Sequence, residues 1–215
     1  MAGLVSWGFE LVKHDFSTED LFGRFGSKMG AATTDSGWSF YDRSRTTAEI
    51  VRDACTAIRE GAGERTVIIG CNTIGHIGAG VFELQRTGDD TSGRDGNRIR
   101  RMGVNTLAFR GAQHGAFFAT DADCVGITAA VPWQLNQRWL DLLSLNGTPL
   151  FVSAAPEPVG AEQRKALREA VARADEKRSV AEPLDWLETT TLAHWRRDGE
   201  AVAYDWYGSR GDTAD

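Results

Sequence analysis

The sequence predicts an α/β protein built on a parallel sheet. Short apolar runs alternate with longer stretches that repeat apolar residues at helical spacing, the pattern of strand–helix–strand units. Polar residues gather where the runs end: Lys13 and Asp15, Cys71 and Asn72, and Arg86 to Asp90. A (β/α)8 barrel and a doubly wound sheet both carry ligands at that end of their strands, so the pattern leaves the two open.

In chain order, "FELVKHDF" alternates as a strand does. "TTAEIVRDACTAIREGAG" is helical, with Thr46 or Thr47 as its start and Gly61 as its stop. "TVIIGCN" is a short continuous apolar run, the mark of a strand buried on both faces. "VFELQRTGDD" is a strand with a polar end, and "RDGNRIRRMG" is helical. "VNTLAFR" and "CVGIT" read as further strands. "PWQLNQRWLDLLSLNG" is a helix with Pro132 near its first turn and Gly147 past its end. "TPLFVSA" reads as a last buried strand, followed by the helix "GAEQRKALREAVARADEK". Beyond it, Trp and Tyr residues flank "RDGE", a turn between two short strands, and "GSRGDTAD" is expected to be disordered.

The 215 residues are 41% hydrophobic and 25% charged, an ordinary globular composition, with a net charge of −6. That charge offers no footprint for nucleic acid. Three cysteines without CxxC spacing argue for reduced thiols in a cytoplasmic protein. The N-terminus lacks a basic stretch followed by a long apolar run, and no apolar segment approaches the roughly 20 residues of a membrane span. The four histidines are scattered, with neither HxH nor HExxH, so neither a metal nor another cofactor is expected. "GCNTIGHIGAG" lacks the Lys of a phosphate loop, and is read as a close backbone approach to a ligand with Cys71 and Asn72 facing it.

Asp15 and Asp89 are the candidate catalytic pair. Glycosidic hydrolysis needs one carboxylate to attack or stabilise the anomeric carbon and another carboxyl to protonate the leaving oxygen. In retaining enzymes the two stand about 5–5.5 Å apart. Lys13, two residues before Asp15, shares its side of the strand and would keep it ionised. His14 faces the other way and reads as a packed residue. Acids at strand ends also cap helices or pair with cations, and spacing alone leaves both roles open. Arg86 and Asp90 are candidate substrate contacts, and so is Trp38, a surface for stacking a sugar. Trp133 and Trp139 stand at helical spacing and read as core.

Taken in order, "LVKHDF", "IIGCNTIGH" and "QRTGDDTSG" resemble the α-galactosidase/melibiase superfamily, the retaining glycoside hydrolases of clan D. In that family a K-x-D motif on strand 4 carries the nucleophile, which matches Lys13-His14-Asp15. A Cys before a Gly-rich turn on strand 5 contacts the sugar, matching Cys71 with Asn72 to Gly75. An S-D-D-T-like motif on strand 6 carries the acid/base, matching Gly88-Asp89-Asp90-Thr91. Asp90 is the alternative acid, because Arg86 precedes it at the spacing that other members show. The resemblance runs from about Val5 to Ala154. It implies a partial (β/α)8 barrel, about strands 4 to 8, over residues 1–178, and a tail over 179–215 that forms a short hairpin or begins another domain. It implies a carbohydrate substrate acted on by double displacement. It also implies that "MAGLVSWGFE" is the end of helix 3, and that the isolated chain is weakly active or inactive. The alternative is a non-catalytic half-barrel that self-associates or pairs with an N-terminal half.

Overall fold

A computed structural model describes residues 1–23, 38–176 and 180–208. The expected boundary at 178/179, most of the expected disordered C-terminus and part of the loop before Trp38 lie outside the described residues. The chain divides into two compact units: residues 1–86 with 115–119, and residues 87–114 with 120–215.

The first unit holds three parallel strands. After the short helix α1 (Ala2–Ser6) comes β1 (Leu11–His14), then α2 (Ser17–Phe22), α3 (Thr47–Ala62), β2 (Val67–Gly70) and β3 (Leu84–Arg86). In β1 the alternation buries Val12 and leaves Lys13 exposed. β1 pairs with β2 in the register Val12↔Ile68 and His14↔Gly70. β2 pairs with β3 through Gly70↔Gln85. One step past this last row stand Asp15, Cys71 and Arg86, so the register brings three sequence-distant polar residues to one level. Gly70 has a steric reason. A Cβ there would fall 2.5 Å from Gln85 Oε1 and 2.7 Å from the Phe82 ring.

α3 starts at Thr46, as its capping box dictates: the Thr46 hydroxyl accepts from Glu49 N at 3.2 Å, and the Glu49 carboxylate accepts from Thr46 N at 2.7 Å. Its apolar face, with Val51, Cys55 and Ala62 buried, packs in one cluster with Ile68, Val81 and Phe82. Arg59 reaches off the helix to donate to the carbonyls of Thr66 and Val81, at 2.9 and 3.0 Å, and to the Glu83 carboxylate. It satisfies backbone acceptors that the strand ends leave over.

The second unit opens with a helix of mixed winding. α4 (Gly96–Arg98) runs into a π-helical stretch (Ile99–Val104) and then α5 (Asn105–Phe109). "VNTLAFR", expected as a strand, is therefore helical. The helix launched from the Asp95 cap (Asn97 N to Asp95 Oδ1, 2.8 Å) carries through it, burying Val104 and Leu107 three residues apart. Seven residues are too few for periodicity to separate a strand from a buried helix turn. β4 (Ala119–Asp121), whose first residue belongs to the first unit, and β5 (Cys124–Ile127) follow, then α6 (Trp133–Leu145), β6 (Phe151–Ala154) and α7 (Ala161–Ala174). β5 and β6 form a parallel pair. β6 is not the buried strand expected: Val152, Ser153 and Ala154 are all exposed, because the two-stranded sheet pairs β6 with β5 alone.

α6 buries Leu135, Trp139, Leu140, Leu142 and Leu143 in a core that includes Val125 and Ile127. The last three strands, β7 (Glu182–Pro183), β8 (His194–Arg197) and β9 (Glu200–Ala203), form an antiparallel sheet, with "RDGE" as the β8–β9 turn. Asp198 and Gly199 take positive φ values of 46° and 87° there, as a tight hairpin demands. Leu192, Trp195, Tyr204 and Trp206 from this segment join the same core. Both indole N–H groups donate to Leu192 O, at 3.1 and 2.7 Å, which solves the problem of burying two polar rings. No helix among the described residues is long and apolar enough to cross a membrane.

Candidate active site

In the first unit the end of β1 is tied to the end of β2. Cys71 N donates to His14 O at 2.8 Å, continuing the ladder. Asn72 then turns into the left-handed region at φ 46°, and Phe16, following Asp15, does the same at φ 60°. Such backbone persists in non-glycine residues only where neighbours hold it. Here the Asn72 carbonyl accepts from Thr18 N at 2.9 Å and the Ser17 hydroxyl at 3.3 Å. The next residue, Thr73, donates to Gln85 Oε1 at 2.7 Å, and the buried Gln85 donates on to Arg86 O at 3.0 Å.

The turn presents Asp15. Its Oδ1 accepts from Asn72 Nδ2 at 2.7 Å and from Phe16 N at 2.8 Å, while Oδ2 faces Lys13 Nζ at 3.6 Å. Burial alone would push the Asp15 pKa up. The hydrogen bonds from Asn72, Phe16 and the Cys71 thiol, with the Lys13 charge, outweigh it and hold the carboxyl below its ordinary value. The result is a carboxylate ionised at neutral pH with one oxygen anchored. Cys71 is driven the other way: burial first, then the neighbouring Asp15, push its thiol up to about 11, against the charges of Lys13 and Arg86. It is a neutral donor beside the carboxylate. His14, on the opposite side of the strand, is half-buried, and burial lowers its pKa against the pull of Asp20 and Asp15.

Lys13, Asp15, Cys71, Asn72 and Arg86, singled out from the sequence, thus come together in one unit. Trp38 packs its ring against Phe22 and Phe40, at centroid distances of 5.6 and 5.0 Å. It also lines an open surface cavity of about 170 Å³ whose walls include Asp42, Arg43 and Arg45. Sequence reasoning placed Thr73 in the turn without a role and missed Gln85, and the two brace the turn. Their only signal was polarity at strand ends.

The second unit carries Asp89 and Asp90 on the loop after β3. Asp89 pairs with Arg98 at 2.9 Å and is largely exposed. Arg98 Nε also donates to Asp90 O at 2.5 Å, so one guanidinium from the following helix fixes both residues. Thr91 is fully buried and anchors the loop: its N–H and hydroxyl meet Asp123 Oδ2 at 2.6 and 2.9 Å, and its hydroxyl lies 2.6 Å from Cys124 O. Beyond it, Gly93 (φ 65°) lies so close to β5 that a Cβ would fall 2.1 Å from Gly126 O. The "GDDTSG" loop is thus clamped at Thr91 and Gly93 while its two acids stay at the surface. Arg98, which holds both acids, was not among the candidate residues. Among the described residues no group of three or more His, Cys, Asp or Glu side chains could hold a metal ion.

No family model matches the sequence, and no curated protein matches it. Solved structures do match the fold. The chain is similar to the α-galactosidase of Saccharomyces cerevisiae solved with raffinose, at 13% identity and a TM-score of 0.61, over 92% of this chain and 48% of that one. It is similar to the Thermus thermophilus α-galactosidase solved with p-nitrophenyl α-D-galactopyranoside, at 18% identity and a TM-score of 0.57, over 94% of this chain and 39% of that one. The isomalto-dextranase of Arthrobacter globiformis T6, complexed with panose, matches at 14% identity and a TM-score of 0.57, over 90% of this chain and 36% of that one. The chain therefore spans less than half the length of these three proteins. At such identities the likeness is one of fold: parallel strands and helices that match part of the barrel of α-galactosidases.

Proposed function

We propose that this chain carries part of the catalytic barrel of a retaining, α-galactosidase-like glycoside hydrolase, with β1, β2 and β3 as barrel strands 4, 5 and 6. One observation carries the reading: an aspartate at the C-terminal end of a parallel strand, kept ionised by Asn72 and Lys13, in a fold whose structural neighbours are glycosidases. Asp15 attacks the anomeric carbon to form a glycosyl-enzyme. Asp89 protonates the leaving oxygen and then takes a proton from the water that releases the sugar. A nucleophile must be charged and an acid protonated, and the hydrogen bonds that hold the Asp15 pKa down favour the first role. Lys13, Cys71, Asn72, Arg86, Asp90 and Trp38 are the substrate-side residues of this reading, and the substrate is a carbohydrate. The three free thiols support a reducing, cytoplasmic setting.

The test is hydrolysis of an aryl α-galactoside by the purified chain, beside Asp15→Asn and Asp89→Asn, with an activated fluoroglycoside to trap the glycosyl-enzyme. Turnover that disappears in both variants, with the label on Asp15, supports the reading. A label on any other carboxylate overturns it. A second reading, a non-catalytic half-barrel that works with a partner chain or a second copy, draws on the edge strand β1. Leu11 is 50% exposed there and Phe9, just before it, 54%. Parallel edges with apolar side chains favour association. Gel filtration that finds only a sharply melting monomer counts against that reading.

A further inference from the structure

We infer that Asn72 is the positioning residue of the Asp15 carboxylate, fixing Oδ1 within the protein and leaving Oδ2 as the attacking oxygen. The inference rests on the reading of Asp15 as nucleophile, and it goes further by naming which oxygen reacts and what aims it. Oδ1 already accepts two hydrogen bonds, from Asn72 Nδ2 and Phe16 N, both shorter than 2.9 Å. Oδ2 meets Lys13 Nζ at the looser distance of 3.6 Å, and the third hydrogen bond to the carboxylate comes from the Cys71 thiol, a weak donor beside an amide N–H. An oxygen bound by two short donors has its lone pairs engaged, and the other has one to give. In the reaction Oδ2 forms a bond to the anomeric carbon as that carbon's bond to the leaving oxygen breaks. The leaving oxygen takes its proton from the general acid. The Asn72 and Phe16 donors stay on Oδ1, which becomes the carbonyl oxygen of the ester.

Asn72 suits this work because both its ends are fixed. Its carbonyl is held by Thr18 N and the Ser17 hydroxyl, the residues that follow Asp15 on the same turn. Its side chain returns across to Asp15, so the amide ties the carboxylate to the anchored turn. The left-handed backbone at Asn72 is one that Asn, Asp, His and Gly adopt with little strain, and Asn places a short amide donor there. Asn72 therefore acts through Asp15 and sets both its orientation and its charge.

Asp and Gly, which tolerate the same backbone but lack the amide donor, supply the experiment. The Asp15 carboxyl is titrated by carbon-13 NMR in the unaltered chain, Asn72→Asp and Asn72→Gly, with melting curves to show that each variant folds. Asn72→Gly removes the amide and leaves the backbone relaxed; Asn72→Asp keeps the shape and exchanges the donor for a like charge. The expected result is an upward shift of the Asp15 midpoint in both, larger in Asn72→Asp, with little change in melting for Asn72→Gly. A folded Asn72→Gly chain in which Asp15 titrates as before overturns the proposal, and Asn72→Asp decides it if the glycine variant unfolds. The titration reads Asn72 whether or not the chain hydrolyses a sugar. Failure of the nucleophile assignment is seen separately, in the position of the covalent label.

Discussion

Gly126→Ala tests the packing that carries the "GDDTSG" loop. Gly126 lies in β5, and a methyl group at its Cβ would fall 2.5 Å from Gly93 N, 2.7 Å from Gly93 Cα and 2.8 Å from Ser92 C. Non-bonded carbon contacts settle at about 3.5–4.0 Å, so strand and loop must part by roughly 1 Å. All three neighbours are backbone atoms, and no side-chain rotation relieves them. Overpacking of this kind costs about 1–3 kcal/mol, against which the entropy gained by replacing a strand glycine returns roughly 0.5–1 kcal/mol. The parting also stretches the bonds from Thr91 to Asp123 and Cys124, which places the net loss near the upper end, at about 2–3 kcal/mol. For a chain of this size that lowers the melting temperature by roughly 4–12 °C. The control is Gly111→Ala in the same unit, where a Cβ would meet nothing within 4 Å. It should be neutral or stabilising by about 0.4–1 kcal/mol. Urea and thermal unfolding followed by tryptophan fluorescence report on this unit directly, because Trp139, Trp195 and Trp206 are all buried in its core. A Gly126→Ala chain that melts with the unaltered protein, or no less stably than Gly111→Ala, would refute the close approach of Gly93 to β5.

Asp123→Gly keeps a residue suited to the positive φ of 73° at that position but removes the acceptor of the Thr91 N–H, leaving the Thr91 hydroxyl on Cys124 O. With Thr91 fully buried, the loss should be about 1–3 kcal/mol in urea unfolding. Asp15 gives a pH signature. Its folded pKa lies below the ordinary 3.8, so its contribution to stability is present above that value and is lost as the pH falls through the lower, folded pKa. The urea midpoint of the unaltered chain should therefore exceed that of Asp15→Asn at neutral pH by a gap that closes in acid; a gap that widens in acid contradicts the sign. Cys71 is buried, with its thiol pushed up to about 11, so at pH near 8 iodoacetamide should leave it intact in the folded chain and modify it only after unfolding, as peptide mass mapping would show.

The sequence by itself determined the elements whose signal is local and long enough to repeat. The α3 helix shows its apolar face and a start at Thr46 or Thr47, though its stop falls at Gly63 and not at the expected Gly61; α6 shows its thirteen residues of helical spacing, and Val67–Gly70 its continuous apolar run. It also determined that Lys13 and Asp15 share one side of β1, because side chains alternate along a strand whatever lies around it. Tertiary structure decided the rest. "VNTLAFR" became helix because the turn before it was already wound, and β6 stayed exposed because a strand is buried only by what covers it. The bond from Asn72 to Asp15 spans 57 positions and depends on the parallel register Val12↔Ile68, fixed by the core beneath α3 rather than by either residue. Gln85 and Thr73 meet for the same reason. Periodicity is written along the chain, whereas the partner of a side chain is set by which strands come to lie together, and that is a property of the packed core.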